Sequence, residues 1–213
     1  MFIAVEPGDY QVRDDLIRQM HRTRKIVFHD RLRWKVPIDG DFEIDQYDLS
    51  GSVYVIWCDE NALTFLGCMR LLPTTGPTLL EQVFRATYPS DVNLSAPSIW
   101  ESTRTCINDK ALAAHHPGLS PAIGFGLIML AVCEWCIAHH IDTIVTNYEP
   151  RLSRIYRRAG VEIEEIGRAD GYGRFPVCCG IVDISAELLR RMRSALGVEG
   201  PLLNVASSSE LVS

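Results

Sequence analysis

Residues 121–148 read PAIGFGLIMLAVCEWCIAHHIDTIVTNY. The apolar run from Ala122 to Cys133 ends at Glu134, and at about twelve residues it is shorter than the roughly 20 a bilayer requires. It reads as a buried helix from Pro121 to about His139, followed by a β-branched strand, Thr143 to Tyr148. Upstream, Ser98 to Ile107 reads as a strand, so the helix joins two strands. Downstream come a helix from Arg151 to Ala159 closed by Gly160, strands at Val161–Ile166 and Val177–Ile184, and a last helix, Ala186–Leu196. That helix carries Arg190, Arg191 and Arg193 near its C-terminal end, where cations suit the macrodipole.

Towards the N-terminus, Leu16, Ile17, Met20, Val27 and Phe28 recur at helical spacing and predict a helix over 14–28. His29 to Leu49 reads as a long ordered loop. Val53–Cys58 and Leu63–Leu72 flank Asp59-Glu60-Asn61 and predict a hairpin. Pro73-Thr74-Thr75-Gly76-Pro77 breaks the chain before a short helix at Leu79–Phe84. The order α, β, β, short α, β, α, β, α, β, β, α has no internal repeat and predicts an α/β (α+β) sandwich, with a mixed twisted sheet between helices. Residues 1–197 form one expected domain, and 198–213, ending in a Ser run, an expected flexible tail.

The chain has 213 residues, 47% apolar and 23% charged, within the range of one globular domain. Lys and Arg number 21 against 27 Asp and Glu, a net charge of −6. That balance argues against a nucleic-acid binder and weakens long-range attraction to an acidic partner protein. Seven cysteines is an odd count, and MFIAVEPGDY lacks the basic and apolar regions of a secretory signal, so reduced thiols in the cytoplasm are expected, with no membrane partner. Cys133-x-x-Cys136, Cys178-Cys179 and His139-His140 match no common zinc spacing, and no metal is expected. His115-His116 beside Pro117-Gly118 reads as loop.

The stretch from Asp39 to Asp48 holds five carboxylates in ten residues. It can be read as a solvated acidic loop. A calcium loop fails, because Ile44 stands where Gly is needed and Ser50 where Glu is needed. A third reading joins the acids to nearby aromatics: Phe28 and Trp34 offer π faces, and Asp45 and Asp48 negative charge, to a cationic ligand such as S-adenosylmethionine.

Arg24, Phe28, Trp34, Asp45 and Asp48, then Gly67-Cys68-Met69-Arg70-Leu71-Leu72-Pro73-Thr74-Thr75-Gly76-Pro77, then Trp100-Glu101-Ser102-Thr103-Arg104, resemble the signature of the acyl-homoserine lactone synthases, the LuxI-type autoinducer synthases of bacterial quorum sensing. The resemblance is detailed in the N-terminal half and follows element order in the C-terminal half. It implies a GNAT-like three-layer α-β-α fold with a mostly antiparallel sheet, no prosthetic group, and S-adenosylmethionine and an acyl thioester as co-substrates. Acylation of the amine would be followed by lactone closure and release of methylthioadenosine. By the same resemblance Glu101 is the general base. Asp45 and Asp48 bind the cationic substrate, while Arg24, Arg70 and Arg104 hold these carboxylates or the substrate's. The oxyanion donor is expected to be backbone N–H at a strand bulge between Glu101 and Thr105, with Arg104 and Thr105 in the catalytic set. The family places a large apolar residue where this chain has Thr105.

The family's donors are acyl carrier protein or acyl-CoA. Gly124-Phe125-Gly126 keeps the G-x-G of the GNAT pyrophosphate loop, although close helix packing explains it nearly as well. Arg151, Arg154 and Arg158 fall on one predicted helical face, suited to phosphates or an acidic carrier protein, or simply solvated. Net charge and G-x-G together favour acyl-CoA. Thr103, Met129 and Thr146 are expected to line the acyl chain, with Gly124, Gly126 and Arg151 near the thioester arm. A monomer is expected. The rival readings are an ordinary GNAT N-acyltransferase using acetyl-CoA and a non-catalytic sensor of S-adenosylmethionine.

Overall fold

The computed structural model describes residues 1–49 and 51–203. Its strands are β1 (Phe2–Val5), β2 (Ile38–Asp39), β3 (Phe42–Glu43), β4 (Val53–Cys58), β5 (Phe65–Pro73), β6 (Ile99–Ile107), β7 (Thr143–Tyr148), β8 (Glu164–Ala169) and β9 (Val177–Asp183). The helices are α1 (Asp14–Arg24), α2 (Leu79–Gln82), α3 (Asp109–His115), α4 (Pro121–Ala138), α5 (Ser153–Arg158) and α6 (Ala186–Leu196). Seven strands form one sheet in the order β1-β4-β5-β6-β7-β9-β8, and β2 and β3 pair separately. Within the large sheet only β6 and β7 run parallel. The expected mixed, mostly antiparallel sheet between helices is the observed one.

The helix α4 is apolar on every side because both of its sides are covered. Ile128, Met129, Val132 and Trp135 join Val55, Leu71 and Ile144 of the sheet and Leu188 and Met192 of α6 in the largest core cluster. Its 18 residues meet the length and apolarity of a membrane span, and burial in this core accounts for that composition. On the opposite face, Leu16, Met20 and Phe28 pack on Tyr54, Ile56, Phe65 and Cys68.

Several boundaries differ from expectation. The first helix becomes a π-helical turn over Lys25–Arg31. Strand β1 and helix α3 were not anticipated, and His115 ends α3 rather than lying in a loop. Strand β8 lies three residues later than the predicted 161–166. The tail expected from 198 is tied down through Leu203: Leu202 and Leu203 donate backbone N–H groups to Glu134 at 2.8 and 2.9 Å, and Leu203 bridges Phe2. Residues 204–213 of that tail lie outside the described residues.

Two backbone irregularities in β6 position the site. Its pairing with β7 runs from Ile99↔Thr143 to Ser102↔Thr146 and stops there, although both strands continue. On the other edge, Cys68 pairs with Cys106 and Arg70 with Thr103, so Arg104 and Thr105 together oppose Met69. This is a β-bulge, and Arg104 adopts φ 52°, a left-handed conformation that costs an L-residue on the order of 1 kcal/mol or more.

Candidate active site

Side chains of β4, β5 and β6 that face α1 bring together the acidic loop and three buried arginines. Arg24 donates from Nε to Glu43 at 2.5 Å and from Nη1 and Nη2 to Asp48 at 2.7 and 3.0 Å. Arg70 forks onto Asp45 at 2.6 and 3.1 Å and reaches Asp48 at 2.7 Å. Arg104 donates to Glu43 at 3.1 Å and Asp45 at 2.9 Å. The Tyr54 hydroxyl donates to Asp48 at 2.6 Å, and the backbone N–H of Asp45 adds a further donor at 2.8 Å. Three guanidinium charges thus meet three carboxylates in a region almost free of solvent. Such a cluster is stable only when each charge is paired, because an unpaired buried ion costs several kcal/mol.

This geometry divides the acidic loop. Only Asp39 and Asp41 are exposed, while Glu43, Asp45 and Asp48 point inward. Asp48 is fully engaged by two arginines, a tyrosine and a backbone N–H. Burial opposes its charge, yet Arg24 and Arg70 hold its carboxyl well below the usual range. Burial likewise opposes the charge on Arg24, and Asp48 and Glu43 outweigh it. Glu43 was missed in the sequence, although its alternation with Asp45 put the two on one side of an extended segment.

Phe28 and Trp34 come together through the end of the π-helical turn. Arg33, at φ 59°, reverses the chain, and Trp34 donates its backbone N–H to the Phe28 carbonyl at 2.9 Å. The rings stack at 5.3 Å between centroids, and the Arg104 guanidinium lies 5.4 Å from the Phe28 centroid. Trp34 keeps 36% of its surface exposed, so one aromatic face remains available beside the charged cluster.

Glu101 lies on the same side of β6 as Thr103, and its side chain is fully buried. Its carboxylate accepts the backbone N–H groups of Leu79 at 3.0 Å and Leu80 at 2.8 Å, at the start of α2. Burial raises its pKa to about 7, with Arg70, the two N–H groups and Arg104 acting in the opposite direction. A carboxyl held near neutrality can both accept and release a proton under ordinary conditions.

The acyl-side expectations divide. Met129 and Thr146 line an apolar cavity of about 30 Å³ together with Met69, Ser102, Tyr156 and Met192, between the sheet and α4. Thr103 does not line it; its hydroxyl accepts from Arg70 Nε at 3.0 Å on the opposite side of the sheet. The G-x-G glycines are closely packed: a Cβ on Gly126 would meet Leu196 Cδ2 at 2.8 Å, and one on Gly124 would meet Trp57 at 3.2 Å. The N–H of Gly124 is already bonded within α4, to the Ser120 carbonyl at 3.0 Å. Arg151 precedes α5, in a 3-10 turn, where it pairs with Glu149 at 2.7 Å and is exposed, away from the cavity lining. A wider cleft of about 600 Å³ lies between residues 74–78 and 90–95, and none of the expected site residues lines it.

Residues 9–192 match the family model described as autoinducer synthase. An acyl-homoserine-lactone synthase from Rhizobium radiobacter is 31% identical over 180 residues, 84% of each chain. One from Ralstonia solanacearum is 34% identical over 185 residues, 84% of this chain and 89% of its own. Among solved structures, TofI in a ternary complex with an inhibitor and MTA superimposes with a TM-score of 0.72 at 26% identity, covering 93% of this chain and 97% of its own. BjaI, described as a CoA-dependent acyl-homoserine lactone synthase with SAM and isopentyl-CoA, shares the fold at TM-score 0.82 and 23% identity, over 95% and 92% of the two chains. With the family model spanning most of the chain and these relatives above 30% identity, the protein belongs to the autoinducer synthase family and is an acyl-transferring enzyme of the acyl-homoserine-lactone synthase type.

Proposed function

We propose that this chain joins S-adenosylmethionine to an acyl group drawn from acyl-CoA. The acyl carbon bonds to the substrate amine and the thioester sulfur leaves as the thiol; the substrate's carboxylate then attacks its own γ-carbon and expels methylthioadenosine. The observation that carries the reading is Glu101, buried in register with the end of the β6–β7 ladder, with a pKa of about 7. There it serves as base for the amine, directly or through water. Asp45, a buried carboxylate shared by Arg70 and Arg104, and the Phe28–Trp34 stack receive the sulfonium and ammonium. Arg24, Arg70 and Asp48 hold that cluster in shape. Backbone N–H groups at the Arg104–Thr105 bulge stabilise the oxyanion. The acyl chain runs past Thr146 and Met129 into the apolar cavity.

The preference for acyl-CoA rests on net charge. A chain of charge −6 repels an acidic carrier protein at long range, and the exposed Arg154, Arg157 and Arg158 of α5 offer only a local attraction. We further propose a cytoplasmic monomer; its seven cysteines are free and buried. Incubating the protein with S-adenosylmethionine and a panel of acyl-CoAs and acyl carrier proteins, and following thiol and methylthioadenosine, tests both parts. Turnover with acyl-CoA is expected. Reaction with carrier proteins alone overturns the donor assignment, and binding of S-adenosylmethionine without thiol release from any donor overturns the activity.

A further inference from the structure

The β7 residue just past the end of the β6–β7 ladder is Asn147. Its backbone pairs with Cys179 of β9, so its edge towards β6 faces the opening where β6 has turned away. Alternation puts its side chain on the face of Val145, which is opposite Glu101 in the ladder and packs with Leu80. Asn147 therefore lies two residues, about 6.6 Å of strand, beyond the row that holds the carboxyl near neutrality.

The orientation of the carboxamide is fixed. Its Nδ2 donates to Thr87 Oγ1 at 3.0 Å and to the Cys178 carbonyl at 3.3 Å. The carbonyl can only accept, and the Thr87 hydroxyl gives its own hydrogen to the Phe84 carbonyl at 2.6 Å, so both partners require the NH2 group. Oδ1 consequently points the other way, buried, and meets no donor among the described residues. A buried acceptor left unpaired carries a desolvation penalty, which a substrate donor would recover.

We infer that Asn147 is a substrate-binding residue whose Oδ1 accepts an N–H group at the acylation centre. The inference rests on the function proposed above. Two N–H groups meet there, the amine of S-adenosylmethionine and the amide of the pantetheine arm nearest the thioester sulfur. Both present the same chemistry to the carboxamide oxygen.

The test is Asn147→Val, which removes the acceptor, with the Kd for S-adenosylmethionine measured by calorimetry and the KM for the best acyl-CoA measured by thiol release. One of these is expected to rise about tenfold, the value of one hydrogen bond to a buried acceptor. A rise in the first assigns the bond to the amine, and a rise in the second to the pantetheine amide. If Asn147→Val does not fold, Asn147→Ser, whose hydroxyl falls short of the opening, is expected to show the same rise. A fall in Tm with both constants unchanged makes the residue structural only and overturns the inference. A wild-type protein that forms no methylthioadenosine with any donor overturns the underlying reading instead, and this inference with it.

Discussion

Glu101→Gln separates the chemistry of the site from its architecture. The substitution keeps size and one acceptor oxygen, so one of the two N–H groups of α2 stays paired and the other faces an NH2 group. It removes the proton acceptor. With a pKa of about 7 in the folded protein, the fraction of competent base in the wild type rises tenfold per pH unit below 7 and is constant above. The substrate amine ionises over a similar range, so the ratio of wild-type to variant kcat/KM is the quantity to follow, since that contribution cancels. The ratio is expected to climb about a hundredfold between pH 5 and 7 and then level at roughly 10²–10⁴, the usual worth of a positioned general base. The same group has a stability signature. Its folded pKa lies above the ordinary 4.5, so its stabilising contribution is complete below about pH 4.5 and is lost as pH rises to about 7. At about 1.4 kcal/mol per pH unit, the wild type loses about 3 kcal/mol relative to the variant across that window. Denaturant unfolding of both proteins at pH 4.5, 6 and 7.5, with methylthioadenosine formation assayed at matching pH, checks both signatures. A ratio that is flat with pH, or a variant retaining a tenth of wild-type kcat/KM, refutes Glu101 as the base.

Arg24→Met leaves Glu43 and Asp48 without their shared partner and is expected to cost about 3–5 kcal/mol in denaturant unfolding; a loss under about 1 kcal/mol would show the cluster to be solvent-screened. Asp45→Asn is expected to weaken S-adenosylmethionine binding about tenfold or more, measured by calorimetry, because it removes the negative charge shared by Arg70 and Arg104. Its effect on kcat should be smaller than that of Glu101→Gln, and equal loss of binding in both variants would remove the division of roles. Gly126→Ala drives a Cβ against Leu196 and Ala159 and is expected to lower stability by about 1–3 kcal/mol with KM for acyl-CoA unchanged. A rise in KM without loss of stability would restore the phosphate-loop reading.

The parts of the fold written in the sequence are those whose burial is symmetric or strictly periodic. Helix α4 is legible because both of its sides are covered, and β4 and β5 because they lie inside the sheet. Strand β1 was missed, since four residues at a sheet edge carry little pattern and are held by pairing with β4. The π-helical turn escaped because its spacing departs from the period that marks a helix. In the site, residue types were legible and directions were not. Thr103 and Thr146 both belong to strands around the opening, but their sides of the sheet follow from register. Asp48 and Asp39 look alike in an acidic run, and only the arginines of α1 and β5 decide that one is buried and the other solvated. The left-handed Arg104 gives no local sign at all, because its conformation is imposed by Met69 facing two residues of β6.

The clamp on Glu134 bears on the order in which the molecule is completed. This buried carboxylate takes donors from Arg193 of α6 at 2.9 Å and from Leu202 and Leu203, while Leu203 closes beside Phe2. The contact joins positions near opposite ends of the described chain, so during synthesis Glu134 of α4 is made before any of these three donors. Chain growth up to residue 203 thus completes the set of donors, and a product cut short after α6 would keep the Arg193 pair but leave one carboxylate oxygen of Glu134 without its two backbone donors.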